Sequence, residues 1–278
     1  MEIEVHGEDR RTVRAAGDRR GDRGGPARHP LAMVYGGGGI FGIAYTAGVA
    51  AGLTAAGIPA ATAPALGTSA GSWTAATVAL GLAFEDVRAL RPPSVPNLRP
   101  GLLADLARQL FGEARHPLVT VSAVCLRTGR RCLLDGGRHP LADLVAASSA
   151  VPGLLAPHRV DGRAYVDGGV WSATSVDAAA EADHVIVVAP LAGAVLRPLG
   201  RAAGLLLRIE LGRWRSAHPG CTVTLVRPDR TIARIVGTHP MALFDAARAS
   251  EVYPLAFAQG RQHGELLDLP PVVPGLAA

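Results

Sequence analysis

Three short segments carry residue types and spacings that could do chemistry. Ser69 stands at the centre of Gly67-Thr68-Ser69-Ala70-Gly71, a Gly-x-Ser-x-Gly pentapeptide. A serine set this way between a strand and a helix sits on a turn too tight for side chains two positions either side, and its hydroxyl is pushed clear of the backbone. Asp167 stands in Tyr165-Val166-Asp167-Gly168-Gly169-Val170. Asp-Gly-Gly is first of all a turn signal. As chemistry it is a carboxylate held at a strand end, from which it can accept the proton of a hydroxyl. A carboxylate of ordinary pKa, about 3.9, is a poor base for an alcohol, so a functional Asp167 must be desolvated and substantially buried. The third segment runs from Gly36 through Gly37, Gly38, Gly39, Ile40 and Phe41 to Gly42. Such a loop exposes successive backbone N–H groups at a helix start, where they hold an anion or a developing oxyanion.

Each segment has other readings. Gly37, Gly39 and Gly42 also spell the Gly-x-Gly-x-x-Gly of dinucleotide sites. That site needs an acid about 20 residues further on, and no acid occurs between Phe41 and Phe84. Without a ligand the loop is a tight strand-to-helix turn. In a chain with 34 glycines, Gly-x-Ser-x-Gly arises by chance roughly 0.15 times. The strand before Ser69 and the helix after it lift the match above that level. Nine histidines offer a third catalytic member. A hydrolase with the chain order Ser, acid, late His would use His239 or His263. That fold sets several strands before its serine, whereas one clear strand precedes Ser69.

The elements that must position these residues are legible in outline. Residues 31–35 form an apolar run closed by glycines and read as a buried strand. Residues 41–56 read as a helix with a buried face of small residues, 63–66 as a second strand and 70–80 as a second helix. Four prolines in residues 91–100 mark a loop. Residues 102–111 read as a helix, 118–126 and 131–134 as a hairpin, and 141–147 as a helix. A strand ends at Tyr165 and Val166, and 184–189 is a further buried strand. Residues 199–216 read as a helix with Pro198 near its first turn, 221–226 as a strand, and 242–259 as a helix broken or kinked at Pro254. Strands alternating with helices predict an α/β sheet covered on both faces. One domain is expected over 31–265. A flexible tail at 1–30, with room for an edge strand at 1–5, precedes it, and a C-terminal tail at 266–278 follows.

Composition narrows the function classes. The chain has 278 residues, 49% of them hydrophobic and 18% charged, which excludes wholesale disorder. No run approaches the roughly 18 apolar residues of a membrane span. Residues 1–28 lack the apolar stretch of a secretory signal, so a cytoplasmic protein is expected. Cys125, Cys132 and Cys221 are too few for a disulfide framework or a zinc site, although a hairpin that set Cys125 opposite Cys132 would allow one bridge. Every basic residue is Arg and the net charge is +5. No interleaving of basic and aromatic residues points to nucleic acid. Eight arginines at 191–240 stand against Glu210 and Asp229. They form either a patch for an anionic membrane surface or a solvated helix face.

Taken together, residues 31–53, the GTSAGS of 67–72 and the Ala-Ser-x-Ala-x-Pro to Asp-Gly-Gly stretch of 147–170 resemble the patatin-like phospholipase family, over about residues 33–262. The resemblance implies a three-layer α/β/α fold with a mainly parallel central sheet. It implies a Ser–Asp dyad without histidine, with Ser69 as nucleophile and Asp167 as base. The oxyanion hole would be formed at Gly37, Gly38 and Gly39, with Gly42, Gly67, Gly71, Gly168 and Gly169 shaping the turns. It implies hydrolysis of acyl esters, usually of lipids, with no metal or organic cofactor. Acyl transfer to an alcohol or amine, and a non-catalytic ligand-binding module, are the rivals. Two positions depart from the family pattern. Phe41 stands where many members carry Arg or Lys, and Ala173 and Ser175 stand where many carry Asn.

Overall fold

The computed structural model describes residues 28–197 and 199–267. The expected N-terminal tail up to residue 27, the edge strand at 1–5, Pro198 and the tail beyond Leu267 lie outside the described residues. Among the described residues, eight strands form one sheet: β1 (His29–Tyr35), β2 (Ala65–Thr68), β3 (Val119–Cys125), β4 (Arg130–Asp135), β5 (His158–Val160), β6 (Arg163–Asp167), β7 (Ala182–Val188) and β8 (Thr222–Val226). Their order is β5-β6-β3-β2-β1-β7-β8, with β4 paired to β3 off that path. The pairs β1–β2, β1–β7, β2–β3 and β7–β8 are parallel. The pairs involving β4, β5 and β6 are antiparallel.

Apolar runs in β1 and β7 are continuous because both of their faces are covered. Met33, Tyr35 and Ile186 face one core, which holds α1 (Gly39–Ala55), α2 (Ala70–Ala79), α5 (Leu141–Ser148) and α8 (Ala246–Glu265). Ala32, Val34 and Val187 face the other, which is closed by Leu207, Leu211 and Trp214 of α6 (Leu199–Ala217). The architecture is the expected α/β/α sandwich with a mostly parallel sheet, one helical layer being far thicker than the other.

Several elements differ from expectation. β1 starts two residues early, at His29. β2 lies two residues late because Ala65 is the residue aligned with Met33 and Val119. Pro64, lacking an N–H, contributes only its carbonyl, to Met33 N–H. Three short elements, β5, α3 (Phe84–Ala89) and α7 (Arg230–Val236), are additional. The helix expected over 242–259, broken or kinked at Pro254, spans Ala246–Glu265 and continues through Pro254. There α8 is clamped against α1 by small residues. A Cβ added at Gly48 would stand 2.8 Å from Ala256 Cβ, and one at Gly52 would run into Phe257 O. Contact this close outweighs the one backbone hydrogen bond that Pro254 forfeits. The hairpin register sets Cys132 opposite Ala123 and Cys125 opposite Arg130, and all three thiols are free.

The feature that matters for chemistry is the edge of β3. Residues 120–125 pair with β4 along one edge, so β2 and β6 must share the other. β2 takes its first part, ending with Thr68 opposite Ser122. β6, arriving from the other direction, begins with Asp167 opposite Ala123. Two strands thus end head to head against the middle of β3, and the residues at their tips are Ser69 and Asp167.

Candidate active site

Ser69 occupies the turn between β2 and α2 with φ 51° and ψ −121°, a conformation costly for any residue with a Cβ. The flanking glycines make it attainable. A Cβ at Gly67 would lie 2.5 Å from Ser72 Cα, and one at Gly71 would run into Tyr35 O. Ser69 N–H donates to Ser148 Oγ at 2.8 Å, and Ser148 donates in turn to Ser122 O at 2.7 Å. Ser148 therefore pins the turn to β3. This contact was not anticipated from sequence, although Ser148 lies within the Ala-Ser-x-Ala-x-Pro stretch.

Ser69 Oγ donates to Asp167 Oδ2 at 2.6 Å. The other carboxylate oxygen, Oδ1, accepts from Gly169 N–H at 2.6 Å. Asp167 is 4% exposed. Burial, partly offset by these two hydrogen bonds, pushes its pKa up to about 6. Among the described residues no histidine bonds to either side chain. His239 Nδ1 accepts from Met241 N–H, capping a short turn of helix at Pro240–Phe244, and burial lowers the pKa of His263 on α8.

The glycine loop lies against Ser69, for a Cβ at Gly37 would stand 3.2 Å from Ser69 Cβ. One expected donor is corrected. Gly37 N–H already donates to Ala173 O at 2.7 Å, so it has no hydrogen left for an oxyanion. Among the described residues, the N–H groups of Gly38, Gly39 and Ala70 have no hydrogen-bond partner. Gly39 has φ 61°, and a Cβ there would meet Leu243 O at 2.8 Å. Gly39 and Ile40 open α1, Ser69 and Ala70 open α2, and all four line the same pocket. Two helix starts, each carrying partial positive charge, thus meet at the hydroxyl.

The positions that depart from the family pattern have defined roles. Phe41 is buried in the core and stacked on Tyr45 at 6.0 Å. Ala173 serves through its backbone oxygen, and Ser175 Oγ hydrogen-bonds Ser122 Oγ at 3.0 Å. The turn holding these residues is fixed from α6, where Thr174 Oγ1 donates to Glu210 Oε2 at 3.1 Å. Glu210 is buried, and burial raises its pKa. Its signal in the sequence is that it is the lone acid of a helix with four arginines.

Ser69 opens into a pocket of about 1000 Å³, counting the space open to solvent at its mouth. The wall is mostly apolar, with Ile43, Trp73, Phe84, Leu90, Leu103 and Val151 contributing to it.

Residues 93–180 match the model of the patatin-like phospholipase family. That stretch, about a third of the chain, is similar to patatin-like phospholipases. The match bears out the resemblance read from the motifs and agrees with a mostly parallel sheet flanked by helices. It points to lipid acyl hydrolase activity at the level of the family. The patatin-like stretch contains Ser148, Asp167 and the turn at Ala173, while the glycine loop and Ser69 lie ahead of it. No curated protein matches the chain. No helix among the described residues is long and apolar enough to cross a membrane.

Proposed function

We propose that the protein is a serine acyl hydrolase that cleaves carboxylic esters of lipid-like substrates through Ser69 and Asp167, without histidine. The observation that carries this reading is the 2.6 Å hydrogen bond from Ser69 Oγ to the buried Asp167 carboxylate at the wall of an apolar pocket. As Ser69 Oγ bonds to the carbonyl carbon, its proton passes to Asp167. The oxyanion is held by the N–H groups of Gly38, Gly39 and Ala70. Collapse of the intermediate expels the alcohol, which takes the proton back from Asp167, and leaves the acyl group on Ser69. Water then gives a proton to Asp167 and attacks the acyl carbon. The acid leaves, and Ser69 recovers its proton.

Desolvation is what makes the carboxylate a usable base. A pKa of about 6 brings it closer to neutrality while leaving it ionised at pH 7. The substrate's acyl chain occupies the apolar pocket. The arginine-bearing helix α6 lies across the sheet from the helices that line it, so delivery of substrate is not assigned to that face. Labelling with a fluorophosphonate probe tests the reading. The probe should modify Ser69 in the native chain and leave Ser69→Ala unlabelled. Equal labelling of the two, or none of either, contradicts it.

A further inference from the structure

Among the described residues, the pocket wall contains a single charged side chain, Arg88 of α3. The other polar side chains on the wall, apart from Ser69, are already engaged. Ser149 Oγ accepts from Trp73 Nε1 at 3.1 Å, and Ser250 Oγ donates to Ala246 O at 2.9 Å. Arg88 is different. It is exposed, and it forms no hydrogen bond or ion pair with any described residue. The acids nearest in sequence do not neutralise it. Asp86 is turned to the start of its own helix, where it accepts from Ala83 N–H at 2.9 Å, and Glu85 makes no ion pair with it. Helix α3 and the proline-rich segment that follows supply Phe84, Leu90, Pro92 and Val95 to the same wall. Arg88 therefore lies where an apolar cavity meets water.

A guanidinium so placed has one kind of complement. Its fork of N–H donors matches the paired oxygens of a carboxylate or phosphate. The adjoining low-dielectric wall strengthens that contact relative to open water. We propose that Arg88 binds an anionic oxygen group on the substrate, so that the preferred ester is an amphiphile with an apolar acyl chain in the pocket and a phosphate or carboxylate at Arg88. This rests on the acyl hydrolase reading. In that reaction Arg88 is a specificity residue and takes no part in proton transfer.

The two sources of the anion are separated by matched substrates. Lysophosphatidic acid against the monoacylglycerol of the same chain places the charge on the alcohol side. The p-nitrophenyl monoester of dodecanedioic acid against p-nitrophenyl dodecanoate places it at the far end of the acyl chain. In at least one pair the native protein should favour the anionic member by about threefold to fivefold in kcat/KM, chiefly through KM. Arg88→Gln should erase that preference and leave the neutral member within about twofold, while Arg88→Lys keeps part of it. No preference in either pair, or a preference that survives in Arg88→Gln, overturns the inference and leaves the hydrolase reading standing. A binding measurement independent of turnover separates the two further. By calorimetry, dodecyl phosphate should bind the native chain more tightly than dodecanol, and Arg88→Gln should lose that difference. Equal affinity of the native chain for the two ligands also overturns it.

Discussion

Ser69 and Asp167 face each other across 2.6 Å, yet their positions are costly in different ways. Ser69 is strained in its backbone, at φ 51° and ψ −121°. It is held there by Gly67, Gly71 and the bond to Ser148, and its hydroxyl is otherwise ordinary. Asp167 has an ordinary negative φ, at φ −46° and ψ 132°, and is strained in its solvation. Its carboxylate is buried with two hydrogen bonds and, among the described residues, no cation beside it, and its pKa rises to about 6. One side of the site stores its cost in conformation and the other in desolvation. The division fits the roles proposed for the two residues. A nucleophile must project from the chain, whereas a base must be made more basic.

Substitutions that relieve each cost separately sharpen this contrast. The largest effect is expected at Ser69, the proposed nucleophile. Ser69→Ala and Ser69→Gly should each lower turnover of p-nitrophenyl butyrate by about four to six powers of ten. Next comes the glycine loop. A Cβ at Gly38 would stand 3.0 Å from Gly42 Cα and disturb the free N–H groups. One oxyanion donor is worth roughly 2.7–4 kcal/mol in the transition state. Gly38→Ala should therefore reduce kcat about a hundredfold and change KM much less, as read by steady-state kinetics.

Stability effects are smaller and opposite in sign to the effects on activity. The Asp167 carboxyl has a pKa of about 6 when folded against 3.8 as its ordinary value. Its contribution to stability is thus greatest below about pH 4 and is lost as pH rises through 6. The loss is of the order of 3 kcal/mol. Asn does not titrate, so denaturation of Asp167→Asn should show a stability advantage over the native chain that is small at pH 4 and widens to that order by pH 8. An advantage independent of pH would place the cost elsewhere. Smallest of all, Ser69→Gly should be more stable than Ser69→Ala by roughly 1–2 kcal/mol, because only the former relieves the positive φ.

The two sides also differed in how far the sequence revealed them. The Ser69 turn is local: five residues, two glycines and the flanking elements declare it. The need to bury Asp167 followed from the chemistry of a carboxylate base. What brings the two together, β2 and β6 meeting along one edge of β3, depends on strand pairings between distant segments and left no local pattern. The fate of Gly37 N–H was hidden for the same reason, since its acceptor Ala173 lies far along the chain, in a turn fixed by Glu210 from α6. Strand β5 and helix α3 were too short to show a period. Pro254 was misleading because helix breaking is a local rule, and at that point the close packing of α1 on α8 decides the outcome.

The central claim is that a carboxylate alone serves as the base. Its most direct measurement is ester turnover by Asp167→Asn beside His239→Ala and His263→Ala, with the pH dependence of the native chain. Asp167→Asn should fall nearly as far as Ser69→Ala, both histidine variants should keep most activity, and the native kcat/KM should rise with pH through about 6, following the ionisation of Asp167. An active Asp167→Asn together with an inactive histidine variant would contradict the account.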